Sequence, residues 1–304
     1  MRRSPAFMLV GALIACSVLV ALSGALFAVS RVRSAEVRAQ SFRTRALHGA
    51  IFACRLIKRG LELDRNGYDS ELEEWAKPRA FPLEGLGSVS VSIRDEDRFL
   101  PINSLLLPDG VTLRAEMAGV LRRALERVGL REELTPRLLD FLDADDRPRL
   151  GGEESDLSGY RPVNRPLLDV RELLLARFLE REHVLGTSGR PGLADLFTPF
   201  SSGRVNLNTA PKEVLTLLDE EVDERAADAL IEQRGKKPLS GIPDLRAVPG
   251  WPAGSVPRLM NLVGFTSLFY RAKIAVEGEE GRATFEAVFK KGPQGVDLIF
   301  WREE

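Results

Sequence analysis

Phe7-Met8-Leu9-Val10-Gly11-Ala12-Leu13-Ile14-Ala15-Cys16-Ser17-Val18-Leu19-Val20-Ala21-Leu22-Ser23-Gly24-Ala25-Leu26-Phe27-Ala28-Val29 contains no charged residue and follows only Met1-Arg2-Arg3-Ser4-Pro5-Ala6. Its length exceeds the roughly 18 apolar residues that mark a membrane-crossing helix, and it outruns the 7–15 residue core of a cleavable secretory signal. The helical pattern does not end at Val29. It turns one-sided, with apolar residues at Val32, Ala35, Ala39, Phe42, Ala46, Ala50, Ala53, Ile57 and Leu61, while Arg31, Arg38, Arg45, Arg55 and Arg59 fall off the stripe. Steps of three and four define one helical face. No breaker intervenes before Asp64-Arg65-Asn66-Gly67. A single helix over 7–63 would be about 85 Å long at ~1.5 Å per residue. The plainer alternative is an anchor followed by an unrelated surface helix. Arg2 and Arg3 favour a cytoplasmic N-terminus, whereas Arg31, Arg33 and Arg38 favour the reverse, so charge alone leaves topology open.

About 270 residues of ordinary soluble composition follow, with a net charge of −1 and 44% hydrophobic residues over the whole chain. That balance excludes a nucleic-acid-coating polycation and a disordered acidic tail. Cys16 in the apolar run and Cys54 beyond it give no disulfide framework and no cysteine metal site. His48 and His183 are isolated, and no P-loop, GxGxxG or Ser-His-Asp arrangement occurs, so the expectation is no enzyme.

Ser88-Val89-Ser90-Val91-Ser92-Ile93 alternates as a strand with Val89, Val91 and Ile93 inward. Three more strands are expected near the end: Phe269 to Glu277 and Arg282 to Phe289 around the turn Gly278-Glu279-Glu280-Gly281, then Val296 to Trp301. Between Leu107 and Val263 the pattern is helical, at Arg114 to Gly129, Thr135 to Leu142, Leu167 to Glu182, Lys212 to Leu218 and Arg225 to Arg234. One strand cannot form a sheet, so the first must pair with the last three and the helices form an insert.

Two clusters could carry chemistry. The acidic run Asp140-Phe141-Leu142-Asp143-Ala144-Asp145-Asp146-Arg147-Pro148-Arg149-Leu150-Gly151-Gly152-Glu153-Glu154-Ser155-Asp156 repels itself unless a cation or its arginines neutralise it. A hard cation with many oxygen ligands, calcium above all, fits an irregular loop. Counted from Asp143, Asp145 and Glu154 take the third and twelfth positions of an EF-hand loop, but Arg147 and Pro148 stand where a ligand and a glycine belong, so this is no EF-hand. The alternatives are a looser calcium loop, a solvated acidic turn capped by Asp140, and a paired-carboxylate hydrolase.

The second cluster runs from Val205-Asn206-Leu207-Asn208-Thr209-Ala210-Pro211 through Glu224 to Arg234 and on to Ile242-Pro243-Asp244-Leu245-Arg246-Ala247-Val248-Pro249-Gly250-Trp251. It resembles the helix-hairpin-helix modules of competence-type DNA-binding proteins. Such hairpins approach a phosphate through bare backbone N–H groups. Here the hairpin is Asp219-Glu220-Glu221-Val222-Asp223, which would repel DNA. The expectation is a packing motif with Leu215, Leu218, Ala227, Leu230, Ile231 and Leu245 as its core. A membrane-anchored periplasmic DNA-binding protein is the alternative function.

Further motifs fall in order: Asp95-Glu96-Asp97-Arg98-Phe99, Ile102-Asn103-Ser104-Leu105, the acidic loop with Gly151-Gly152-Glu153-Glu154, Tyr160-Arg161-Pro162-Val163-Asn164-Arg165-Pro166-Leu167 with Glu172-Leu173, and Val205 to Ala210. After a pilin-like helix, this order resembles the type II secretion minor pseudopilin K family over nearly the whole chain. The resemblance implies an α+β fold. A long N-terminal transmembrane and amphipathic helix would pack on a pilin-like antiparallel sheet, with a large all-helical domain inserted. The implied organisation is a prepilin leader at 1–6, a transmembrane helix at 7–29 and its amphipathic continuation at 30–63. The first part of the pilin-like domain follows at 64–106. The helical insert is 107–264, helix-hairpin-helix-like at 205–251, and the last strands are 265–304.

The resemblance further implies a subunit at the tip of a short periplasmic pseudopilus, complexed with minor pseudopilins I and J and supporting export of folded proteins across the outer membrane. It would be a single-pass protein of the inner membrane of a Gram-negative bacterium, with its bulk in the periplasm. Calcium would bind the acidic loop at Asp143, Asp145, Asp146, Glu154 and Asp156. Prepilin peptidase would cut at Ala6–Phe7, or at Gly11–Ala12, although its usual preference is for a preceding glycine. Phe141 stands where the family often has tryptophan. Counted from Phe7, the fifth residue is Gly11, where most pilin-like subunits carry a glutamate. Without it the helix avoids an intramembrane carboxylate costing about 2.5–3.5 kcal/mol, and offers no acceptor to a subunit above.

Overall fold

The computed structural model describes residues 5–155 and 161–304, with side chains from residue 9 in the N-terminal helix. Helix α1 is continuous over Pro5–Leu63, and it stops at the Asp64–Gly67 turn cluster. By length and composition its described part, Leu9–Leu63, is apolar enough to cross a membrane, and its most apolar window is wholly uncovered by the rest of the chain. Strands β1 (Arg79–Leu83) and β2 (Gly87–Asp95) follow.

The chain then runs through β3 (Leu100–Pro101), α2 (Ala115–Arg127), α3 (Thr135–Leu142), α4 (Arg181–Leu185), α5 (Leu193–Leu196), β4 (Phe197–Thr198) and β5 (Val205–Asn206). After these come α6 (Lys212–Leu218), α7 (Glu224–Lys236), α8 (Ile242–Arg246), α9 (Val256–Leu259) and β6 (Val263–Gly264). It closes with β7 (Phe269–Gly278), β8 (Gly281–Gly292) and β9 (Gly295–Glu303).

The main sheet is antiparallel with order β1-β2-β7-β8-β9. The expected pairing of an early strand with three late ones holds, with Val89 opposite Val276 and Gly278 opposite Gly281 in the tight turn. Period-two burial follows from the pleat. Val89, Val91, Tyr270, Ala272, Ile274, Val276, Phe285, Ala287 and Phe289 form one inner face, against which α1 lays Phe42, Ala46, Ala50, Ala53, Ile57 and Leu61. Alanines on the helix permit its close approach to the sheet. The upper half of the predicted stripe is thereby buried, whereas Val32, Ala35 and Ala39 project beyond the sheet and stay exposed. At the β1–β2 turn Gly87 has φ +126°, and a Cβ there would lie 2.1 Å from the Glu277 carbonyl oxygen.

Three features differ from expectation. Strand β1 has no counterpart among the expected strands, because Pro82 and the glycines that follow it mask its short alternation; the proline is tolerated because β1 is an edge strand. The expected helix over 167–182 is instead a 3-10 turn at Val170–Leu175 followed by the short α4. Asp169 and Glu172 box the start of that turn, and Arg302 holds Asp169 from the sheet at 2.8 Å, so tertiary pairing overrides the leucine-rich helical pattern. Finally, the region between β2 and β7 is not wholly helical, because it contains the short parallel pairs β3–β4 and β5–β6.

Asp95 pairs with Tyr270 across β2–β7. The intervening residues therefore leave and re-enter the sheet at neighbouring strand ends and build their own core, from Leu100 to Val263.

Candidate metal centre

The last turn of α3 and the residues after it gather Asp140, Asp143 and Glu154, with one oxygen of each within 4.8 Å of the others. Asp140 and Asp143 are completely buried, because Leu138, Leu139, Phe141 and Leu142 turn this helix inward. Asp140 organises the loop. Its Oδ2 accepts from the backbone of Arg149 at 3.0 Å and of Glu153 at 2.9 Å, and its Oδ1 accepts from Arg149 Nη1 at 2.6 Å. The loop comes so close that a Cβ on Gly152 would lie 1.7 Å from Asp140 Oδ2.

Arg149 also pairs with Asp143 and donates to the Val111 carbonyl. It neutralises one of three carboxylates and leaves an acidic excess. Asp143 Oδ1, both Glu154 oxygens and Asn164 Oδ1 are buried without a hydrogen-bond partner. Burial, then the charges of Asp143 and Asp140, pushes the Glu154 carboxyl up to about 7. Burial likewise raises Asp143, against the pull of Arg149.

Asn164 is oriented by its amide, whose Nδ2 donates to the Asp145 carbonyl at 2.8 Å and to Asp146 Oδ1 at 3.0 Å. It also has φ +45°, a rare backbone state for a residue other than glycine. Unpartnered buried oxygens from two carboxylates and an amide suit a hard divalent cation, which prefers oxygen ligands.

Among the expected ligands, Asp143 and Glu154 come together. Asp145 and Asp146 lie outside the three-carboxylate cluster: Asp145 Oδ1 accepts from the Arg147 backbone at 2.9 Å, and Asp146 holds Asn164. Asp146 thereby orients Asn164. Asp156 lies outside the described residues. Asp140 was expected only as a cap, and Asn164 was not singled out. Its place in the Val163-Asn164-Arg165-Pro166 run, away from the acidic loop, gave no charge signal.

In the second cluster, Leu215, Leu218, Ala227, Leu230 and Leu245 are buried and Ile231 packs against them, as expected of a packing motif. The acidic hairpin carries its own cation. Asp219 accepts from Arg258 Nε at 2.6 Å and Nη2 at 2.8 Å, and Glu221 accepts from Nη2 at 2.6 Å. Arg258 holds the Asp219 carboxyl below its usual range. Asn206 and Asn208 are internal connectors: Asn206 donates to the Asp69 carbonyl at 2.9 Å, and Asn208 exchanges hydrogen bonds with the Leu239 backbone at 2.8 Å.

The profile of a family described as type II secretion system (T2SS), protein K, matches residues 205–265, and a second profile with the same description matches residues 100–185. Both matched segments are thus similar to the type II secretion system protein K family. The two matches take in the helix-hairpin-helix-like segment and the acidic loop. Among curated proteins no match is found. Among solved structures, the fold resembles a chain in the crystal structure of the GspK-GspI-GspJ complex from the enterotoxigenic Escherichia coli type 2 secretion system. The TM-score is 0.72 at 19% identity, covering 88% of this chain and 99% of that one. The family is a structural component of secretion, and the chain is an α+β protein of that fold.

Proposed function

We propose that this chain is the minor pseudopilin that caps the periplasmic pseudopilus of a type II secretion system, in complex with minor pseudopilins I and J. The observation that carries this reading is the fold shared with the GspK-GspI-GspJ structure over 88% of the chain. On this reading the subunit is non-catalytic and supports export of folded proteins across the outer membrane. Residues 7–29 sit in the inner membrane and the bulk of the chain lies in the periplasm. Prepilin peptidase removes 1–6 by cutting at Ala6–Phe7, the first turn of α1. Gly11 provides no carboxylate for a subunit stacked above it, so α1 can enter a filament and end it. The insert adds steric bulk beyond the sheet.

Within this reading calcium is the cation of the acidic loop, held by Asp143, Glu154 and Asn164. Asp140 and Arg149 keep the loop in shape. The ion would neutralise the excess charge and tie α3 to residues 154 and 164.

Co-purification tests the central claim. The part of the chain after the membrane segment should elute as a stoichiometric complex with the corresponding parts of pseudopilins I and J. Independent elution at micromolar concentrations would remove the capping role. Mass spectrometry of the N-terminus from native membranes should find Phe7 first and N-methylated; an intact Met1 would make the chain an ordinary anchored protein.

A further inference from the structure

The stretch of α1 just beyond the apolar run is strongly basic. Residues 30–61 carry eight arginines and lysines and one acid, Glu36. Farther along the helix three of these cations are paired: Arg43 with Glu303 at 2.7 Å and Arg45 with Glu280 on the folded body, and Arg59 with Glu62 of α1 itself at 3.4 Å. Nearer the membrane run, Arg31, Arg33 and Arg38 have no carboxylate partner among the described residues, and all three are exposed.

Two of them shape a site. Leu26, Val29, Ser30, Arg33, Ser34 and Arg38 line one open recess on the helix surface. At ~100° per residue, Arg33 and Arg38 fall about 140° apart and flank Ser30 and Ser34, which lie between them. Leu26 and Val29, 64% and 50% exposed, form the floor on the membrane side.

Depth decides what this recess faces. With Val29 at the end of the uncharged run, Arg33 stands about 6 Å and Arg38 about 13 Å farther along the axis. The headgroup layer is roughly 5–7 Å thick on each side of the hydrocarbon. Helical side chains lean toward the N-terminus, which here is toward the bilayer. The neighbouring Arg31 displays that lean, its guanidinium lying over the Phe27 ring at 5.9 Å. Arg38 thus reaches back toward the depth at which Arg33 already stands. At that depth the abundant anion is a lipid phosphate, which guanidinium groups bind in bidentate fashion. The hydroxyls of Ser30 and Ser34 supply further donors, and the apolar floor receives the start of an acyl chain.

We infer that Arg33 and Arg38, with Ser30 and Ser34, form a binding site for the headgroup of an anionic phospholipid at the membrane end of α1. This inference rests on the membrane-spanning reading of residues 7–29. The site fixes how far α1 is drawn out of the bilayer, because each arginine must leave its phosphate before the helix can rise.

The test uses the full chain in lipid nanodiscs, with spin-labelled phosphatidylglycerol and phosphatidylcholine compared for the motionally restricted fraction. The native chain should select phosphatidylglycerol, by at most about fivefold per arginine, and 0.5 M salt should reduce the selection. R33Q/R38Q should bring it close to parity. R55Q, an equal kind of charge loss at an exposed site far up the helix, should leave it unchanged. Equal binding of the two lipids by the native chain would overturn the inference, as would full selectivity in R33Q/R38Q. Unchanged lipid selectivity with weakened attachment to other pseudopilins would assign the arginines to protein carboxylates and overturn it too. Release of the chain from bilayers by alkaline carbonate would overturn the span itself, a result distinct from loss of selectivity.

Discussion

Asp95 concentrates at one residue the cost of joining the sheet to the insert. Its Oδ2 accepts from Thr209 Oγ1 at 2.8 Å, Ser267 Oγ at 2.5 Å and Asn206 Nδ2 at 3.2 Å, while its buried Oδ1 has no partner. Burial outweighs those donors and pushes the carboxyl up to about 7; Asp69 beside it, also raised mainly by burial, reaches about 6. Between the ordinary carboxyl value near 4 and these folded values, the native state holds protons that the unfolded chain releases. Stability is therefore greatest at the acidic end of that window and falls as pH rises through about 7, by at most about 1.4 kcal/mol per pH unit for each group. Asp95→Asn, which imitates the protonated acid, should reduce the slope of urea-denaturation stability between pH 5 and 8 and leave the slopes of Asp69 and Glu154. An unaltered slope would exclude Asp95 as its source. The acidic loop offers a second residue-scale outcome. Calcium at about 100 times its Kd should stabilise the folded chain by about 2.7 kcal/mol, and E154Q or N164A should abolish most of the accompanying rise in Tm; no rise at millimolar calcium would sink the metal reading. Sequence pointed to the loop through its charge density. It could not show that Asp140, Asp143 and Glu154 draw within 4.8 Å of one another, because that depends on how the residues after α3 fold back onto its last turn. Asn164 was invisible for the complementary reason that it brings oxygen without charge.

At the scale of elements, α1 explains why so much of the fold could be read in advance. Its stripe from Phe42 to Leu61 repeats at helical spacing, and the partner strands alternate at spacing two, so each pattern names the face that must be covered. Val89 and Val91 were legible as inward residues by alternation alone. Strand β1 and the 3-10 turn at Val170–Leu175 were not, since the first depends on pairing with β2 and the second on Asp169 meeting Arg302. Close approach of the helix depends on small side chains. Ala50 is fully buried beside Gly49, where an added Cβ would meet Leu86 Cδ2 at 3.0 Å. Ala50→Leu should overpack this interface and cost about 1–3 kcal/mol, measured as a lower denaturation midpoint, while the helical content of α1 by circular dichroism stays nearly unchanged. Ala35→Leu, on the exposed part of the same stripe, should leave the midpoint where it was. Equal effects at the two sites would show that the stripe is not a packing face.

Across the whole molecule, the sheet and the insert are joined by charges withdrawn from water. Glu96 is 2% exposed and accepts from Arg271 Nε at 2.7 Å and Nη2 at 2.9 Å, while the Thr198 hydroxyl of the insert donates to it as well. Arg271 also meets Glu286 at 2.8 Å, Glu286 meets Arg302 at 2.7 Å, and Arg302 reaches Asp169 of the insert at 2.8 Å. The network thus crosses β7, β8 and β9 and grips the insert at two points. Such a network specifies orientation better than it adds stability, because desolvation offsets much of its attraction. Breaking one member is costly all the same, since it strands a buried charge. Glu96→Gln leaves Arg271 with Glu286 alone and should lower stability by at most about 3–5 kcal/mol. If orientation is what the network provides, the loss should concentrate between the two cores. Limited proteolysis of the variant should then cut first near residues 98–104 and 264–268, with the α1–sheet core and the insert core each persisting as a protected piece. A uniform loss of protection throughout the chain would instead mean that the two cores fold only as one unit, and that the insert owes its placement to packing and not to these charges.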